Sequence, residues 1–228
     1  MPIISISRGS HSGGTRLAQA LGERLGYRVV SQEVVTEAAT RYGISGDEIL
    51  RGIEMPAGFL ERFSRSKDRY VLAMQAALGE MFEDGNGIYH GLAGQFLFHD
   101  LCNVFKIRLI APMEYRVRAS IAEIGLGRDE AVRHIREIDE RRVKWGRQVF
   151  GIDWNDPTLY DLVVNLEQMD IDTAAEAVAV LMDRREHQPT PGCVQEFRNF
   201  ALEKRVRAEL YFNSSFNADT VPAASYIT

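Results

Sequence analysis

Ile3-Ile4-Ser5-Ile6-Ser7-Arg8-Gly9-Ser10-His11-Ser12-Gly13-Gly14-Thr15 is the stretch that decides the fold. A short apolar run meets a cluster of Gly and Ser. A helical pattern follows at once, with Leu17, Ala20, Leu21 and Leu25 on one face. Strand, small-residue loop and helix together make the geometry that holds a phosphate, because successive loop N–H groups and the positive helix end converge on one anion. Position 14, where such a loop carries a lysine, is Gly. The loop therefore reads as a phosphate cradle without its own cation.

Working outward, strands and helices alternate. Ile3–Ser7 is apolar enough for a buried parallel strand. The helix from Gly13 stops at Leu25-Gly26, and Tyr27–Val30 reads as a short second strand. Gln32–Tyr42 is helical, Ser45-Gly46-Asp47-Glu48 offers a cap for a short helix through Ile53, and Lys67–Phe82 carries apolar residues at helical spacing. Ile88–His90, Val104–Ala111 and Leu162–Asn165 are the remaining expected strands. Met113–Ile124, the highly charged Arg128–Gly146, and Asp172–Arg184 are the remaining helices of this unit. The alternation implies an α/β fold, a parallel sheet covered on both faces.

Composition changes after Arg184. Residues 1–186 read as one domain, and 187–192, with Pro189, Pro191 and Gly192, as a linker. Residues 193–228 hold a helix over Cys193–Tyr211 and a strand-like Ala223–Thr228. This appendage is either the start of a truncated second domain or an arm that packs on the first domain or on a partner.

The chain has 228 residues, 45% of them hydrophobic and 26% charged, with a formal net charge of −5. An acidic balance argues against a nucleic-acid polymer as partner, since basic surface supplies most of that affinity, but not against a single nucleotide. No signal peptide and no membrane-spanning run is legible, so a cytoplasmic location is expected. Cys102 and Cys193 are the only cysteines, and their wide separation reads as two buried free thiols in a reducing compartment.

With these pieces placed, the chain resembles the cytidylate kinase-like family of P-loop nucleoside monophosphate kinases. Ile6-Ser7-Arg8 through Ser12-Gly13-Gly14 is similar to that family's strand-Ser-Arg-x-x-Gly-Ser-Gly-Gly opening. Leu25-Gly26-Tyr27 leads into the next strand in the same way. Ala111-Pro112-Met113-Glu114-Tyr115-Arg116 matches a strand followed by Ala-Pro-Leu-Glu-Tyr-Arg. Asp139-x-x-Arg142, Gly151-x-Asp153-Trp154-x-Asp156-Pro157 and Tyr160-Asp161-Leu162 resemble the lid and the segment after it. The likeness spans residues 3–183.

The resemblance implies a P-loop NTPase-like sheet of about five strands. It also implies a helical acceptor-binding insertion at roughly residues 32–85 and a lid at roughly residues 126–156. It implies ATP and Mg²⁺ as cofactors and phosphoryl transfer to a nucleoside monophosphate or another small acceptor. That chemistry needs in-line placement and positive charge rather than covalent work. Gly9, Ser10, His11, Ser12, Gly13, Gly14, Thr15 and Arg16 are the expected cofactor-binding residues, with Thr15 as the hydroxyl for Mg²⁺. Arg116 and Arg142 are the expected catalytic cations, with Asp139, one helical turn before Arg142, as a residue to orient it. Arg8, Ser31, His90 and Gly91 are the expected acceptor side.

Four Lys are present, Lys67, Lys106, Lys144 and Lys204, so no lysine of the first 66 residues can serve the loop. Charge must come from arginine: Arg8 and Arg16 beside the loop, Arg116, or the cluster Arg133, Arg136, Arg141, Arg142, Lys144 and Arg147 on the lid helix. The chain departs from the family at three places. His11 replaces a Gly, Ser31 replaces an Asp at the end of the second strand, and Gly91 replaces the arginine of a Val-Gly-Arg-Gly-Ala sequence. Two alternatives to a working kinase stand beside it: a catalytically weakened nucleotide-sensing or interaction module on a kinase scaffold, and a phosphate-free scaffold for oligomerisation. A homodimer is open, with no surface assigned.

Overall fold

The structure, a computed structural model, describes residues 2–47, 64–91, 93–98, 100–184 and 187–213. Most of the short helix expected after Ser45, and the strand-like end Ala223–Thr228, lie outside the described residues. Five strands form one sheet: β1 (Ile3–Arg8), β2 (Arg28–Val30), β3 (Gly87–Tyr89), β4 (Val104–Ile110) and β5 (Leu162–Asn165). Their order is β2-β3-β1-β4-β5 and every pairing is parallel. The helices are α1 (Gly14–Leu25), α2 (Glu33–Tyr42), α3 (Ser64–Met81), α4 (Gly94–Leu97), α5 (Met113–Ile124), α6 (Arg128–Phe150), α7 (Ile171–Met182) and α8 (Pro191–Asn213). The expected α/β sheet of about five strands is what the chain forms.

β1 is central, and its alternation sorts the molecule into two layers. Ile4 and Ile6 join Leu17, Leu21, Ile107, Leu109, Ala175 and Val178 under α1 and α7. Ile3 belongs to the opposite layer, with Val34, Met74, Phe82, Phe96, Phe98, Trp145, Trp154 and Phe197. Ser5 and Ser7 share that second face, both buried, and their small size lets other chain segments come close. A Cβ added to Gly94 would lie 2.3 Å from Ser5 Oγ.

Helix ends follow local chemistry. α1 stops where Gly26 takes φ 66°, and α6 where Gly151 takes φ 70°. α7 starts at Asp170, whose carboxylate accepts the Thr173 N–H at 2.8 Å. Asp129 and Glu130 occupy the first turn of α6, where the helix dipole favours negative charge.

α8 begins at Pro191, inside the stretch expected as a linker, and lies along α3. Phe197 and Ala208 are buried there, and a Cβ on Gly79 would sit 2.9 Å from Ala201 Cα. The two cysteines are not free thiols. Cys102, just before β4, and Cys193, in the first turn of α8, are bonded to each other across 91 residues, with Cα atoms 5.4 Å apart. Sequence separation says nothing about distance once α8 folds back along α3, so the cysteines lend no support to a reducing compartment.

The Gly79–Ala201 approach makes a specific prediction. Gly79→Leu should force α3 and α8 apart and cost about 1–3 kcal/mol, the range for overpacking a close contact. Urea unfolding followed by circular dichroism measures it; an unchanged midpoint would mean that α8 does not pack there in solution.

Candidate phosphate-binding site

The site lies at the carboxyl end of the sheet, where strand order places β1 between β3 and β4. β1 delivers Arg8, the loop runs through Gly9–Gly13, and α1 begins at Gly14. His11 and Gly13 both take positive φ, 56° and 83°. Ser12 Oγ donates to the Gly9 carbonyl at 2.8 Å and ties the loop across its base. Gly13 sits in a tight place, where a Cβ would lie 3.0 Å from Ile171 Cδ1 and 3.2 Å from the Tyr115 hydroxyl, and its positive φ favours glycine. Such a turn leaves the first N–H groups of α1 without helical acceptors.

Beside the loop is a cleft of about 460 Å³, lined by Arg8, Thr15, Ser31, Glu33, His90, Gly91 and Arg142 among others. Six residues singled out in the sequence thus meet at one place, brought from β1, α1, the ends of β2 and β3, and α6. His90 is buried, and among the described residues its Nδ1 has no hydrogen-bond partner. Burial pushes its pKa down to about 4; the Arg8 charge adds to this and Glu33 opposes it. The imidazole is therefore neutral at physiological pH. Glu33 is held below the usual carboxylate range by backbone N–H groups, first its own and then that of Ser31, which donates at 2.6 Å.

Over the loop sits a second group. Asp139 accepts from Arg116 Nη2 at 2.5 Å, from Ser10 Oγ at 3.0 Å and from the Ser10 N–H at 3.2 Å. Arg116 also donates to the Ser10 carbonyl at 2.8 Å, and its guanidinium covers Gly9, where a Cβ would lie 3.2 Å from Cζ. Arg142, one turn beyond Asp139, donates to the Arg8 carbonyl at 3.3 Å. The Ser10 hydroxyl also lies 3.4 Å from the Ile135 carbonyl, so the lid helix is hydrogen-bonded through Ile135, Asp139 and Arg142 to Ser10 and Arg8.

A third group lies beneath. The Ser7 hydroxyl accepts from Trp154 Nε1 and Arg108 Nη1, both at 3.0 Å, and lies 3.3 Å from the Tyr160 hydroxyl. Tyr160 donates onward to the Trp154 carbonyl at 2.9 Å. This network ties the segment after the lid to the end of β1.

Other expected residues lie outside the cleft. His11 turns to α5, with Nδ1 2.6 Å from Glu123 Oε2 and its ring centroid 5.7 Å from that of His134. Arg16 is exposed, as are Arg133, Arg136, Arg141, Lys144 and Arg147 of α6; Arg147 pairs with Asp153 at 2.6 Å. Gly91, by contrast, lines the cleft, but it is packed under Tyr89, because a Cβ there would fall 2.1 Å from the Tyr89 hydroxyl. Sequence reading missed Glu33, Ser7, Arg108 and Tyr160. Ser7 and Arg108 carried a signal, being polar residues inside apolar strands. Glu33 brings a carboxylate two positions after Ser31, where related chains carry Asp.

For a nucleotide, the loop and Arg8 fit phosphate oxygens. For Mg²⁺, the Thr15 hydroxyl stands at the cleft, and this ion needs only one or two protein ligands beside phosphate and water.

Two measurements test this reading. Ser7→Ala strands the buried Trp154 N–H and one Arg108 donor, so stability should fall by about 1–3 kcal/mol, read from denaturant unfolding. His90 sets a pH dependence with a defined sign. Its folded pKa near 4 lies below the 6.5 of an unperturbed histidine, so the unfolded chain binds more protons between those values. Stability from this group is complete above about pH 6.5 and is lost as pH falls toward 4. His90→Asn should flatten that part of a stability–pH curve; an unaltered slope would mean that His90 titrates normally.

The chain is similar to the cytidylate kinase of Methanopyrus kandleri, 28% identical over 187 residues that cover 79% of this chain and 93% of the relative. It is similar to the cytidylate kinase of Saccharolobus islandicus, 22% identical over 190 residues covering 83% and 95%. Among solved structures it shares its fold with an uncharacterized protein from Eubacterium ventriosum, at TM-score 0.63 and 16% identity over 81% of this chain and all of that one. It also resembles the shikimate kinase from Bacteroides thetaiotaomicron, at TM-score 0.51 and 17% identity over 80% and 99%. The model of the cytidylate kinase-like family matches residues 3–168, and the chain belongs to that family.

Proposed function

We propose that this protein transfers the terminal phosphoryl group of ATP to a nucleoside monophosphate or another small acceptor. The observation that carries the reading is the single cleft shared by Arg8, Thr15, His90, Gly91 and Arg142. The two flanks of the loop, Arg8 and Thr15, the acceptor-side strand ends and the lid each contribute to it, as a two-substrate transfer requires. In this reading the loop N–H groups and Arg8 hold the donor phosphates. Arg142 adds charge from the lid, and lid packing keeps water from the reacting centre. Bound Mg²⁺ would supply further charge neutralisation, with Thr15 as its protein oxygen. His90, being neutral, is placed to hydrogen-bond the acceptor rather than to pair with its charge.

A second reading, a nucleotide-sensing module that turns over slowly or not at all, draws on one observation. Asp139 already accepts the Ser10 N–H and the Arg116 guanidinium, groups that a phosphate would otherwise use. Turnover separates the two. Purified protein with Mg-ATP and a panel of CMP, dCMP, UMP, AMP and GMP should yield a new diphosphate on chromatography. Binding of Mg-ATP without product from any acceptor, nucleotide or not, would favour the sensing module; no binding at all would remove both readings.

A further inference from the structure

The loop lacks a lysine, yet the volume a lysine would use is not empty. A Cβ built on Gly14 would lie 1.9 Å from Arg8 Cδ, 2.8 Å from Arg8 Nε and 3.1 Å from Arg8 Cγ. The aliphatic stem of Arg8 therefore crosses the place where a side chain at position 14 would start. Strand alternation explains how. Ile4, Ile6 and Arg8 point to the same side of β1, the α1 side, so Arg8 is the next residue along to meet the first turn of that helix.

From there the guanidinium reaches the cleft wall beside Thr15 and Arg142, close enough to His90 for its charge to be felt there. Burial pulls Arg8 below the ordinary arginine value, with Tyr89 and Glu123 opposing that more weakly. Among the described residues its side chain has no hydrogen-bond or ion-pair partner. A desolvated cation without an acceptor is costly unless a ligand completes it. The other nearby cations are otherwise placed. Arg116 is paired with Asp139, and Arg142 comes from the lid rather than from the sheet.

We propose that Arg8 is the phosphate-binding cation of this loop, standing in from the end of β1 for the lysine absent at position 14. Residues 8 and 14 are then one device: the glycine is needed because the arginine lies across it. This rests on the reading of the loop as a nucleotide phosphate site.

The device is testable by moving the cation back. Wild type, Arg8→Ala, Gly14→Ala and the double variant Arg8→Ala/Gly14→Lys are titrated with Mg-ATP by calorimetry, with melting curves recorded without nucleotide. Arg8→Ala should lose about 10- to 100-fold in affinity, the scale of one charge-assisted contact, while melting no lower than wild type because it removes a desolvated charge. Gly14→Ala should weaken binding as well, since its methyl group displaces Arg8. The double variant, with room for a lysine stem, should recover most of the affinity. Wild type that binds Mg-ATP with Arg8→Ala binding equally would overturn the proposal and leave the functional reading intact. Loss of affinity that Gly14→Lys does not restore, or an Arg8→Ala variant that melts well below wild type, would make Arg8 a structural residue and overturn it too. Wild type that binds no Mg-ATP would remove the functional reading and the proposal together.

Discussion

A guanidinium with no acceptor among the described residues, laid against a glycine, is the constraint around which the cleft is organised. Arg8 can lie there only because Gly14 has no Cβ. It is aimed there only because β1 keeps strict alternation up to its last residue. β1 in turn holds its place by pairing with β3 on one side and with β4 along its whole length on the other. The central strand thus does more than fill the core, because its register determines where a positive charge enters the site.

The lid shows the same economy of placement. α6 is fixed at both ends. Ala131 and Ile135 pack with Val117 of α5 near its start. Near its end Trp145 and Phe150 enter the aromatic group of Phe96 and Trp154, with Phe96 and Phe150 stacked at 4.9 Å. What lies between, Asp139 and Arg142, is held over the loop. A helix so anchored does not swing as a free arm. Access to the Ser10 N–H instead depends on exchanging the Asp139 carboxylate for another anion, with Arg116 able to follow either. The local equilibrium is a competition between two anions for one set of donors.

The strands, the helices and the loop were legible because each rests on local pattern: period two in β1, helical spacing in α1 and α3, glycine at helix ends. The meeting of Arg8, Ser31, His90 and Arg142 was legible only through the family likeness, since the topology that joins β1, β2, β3 and α6 has no local signature. The disulfide was not legible at all. Cys102 and Cys193 come together because α8 folds back along α3, and that packing depends on close approaches such as Gly79 to Ala201, which no periodicity reveals. The lid arginines misled in number. Spacing could group six cations on one helix but could not say that Arg142 faces the cleft while Arg133, Arg136, Arg141, Lys144 and Arg147 face solvent.

Charge balance in the cleft bears on the acceptor. Among the described residues its lining offers two guanidiniums, Arg8 and Arg142, against one carboxylate, Glu33, because His90 is neutral. A nucleoside triphosphate and a monophosphate together bring several negative charges, more than this lining and one Mg²⁺ offset. Two arrangements resolve the deficit. In one, Arg116 leaves Asp139 and joins the phosphates. In the other, the acceptor brings no phosphate of its own and is recognised by hydrogen bonds to His90, Ser31 and Glu33. The position where related chains carry an acceptor-side arginine favours the second arrangement. Gly91 is closed by the Tyr89 phenol, so a cation cannot be restored there unless Tyr89 also changes. On the proposed reading, acceptor choice then rests jointly on Tyr89 and on whether Asp139 keeps its arginine.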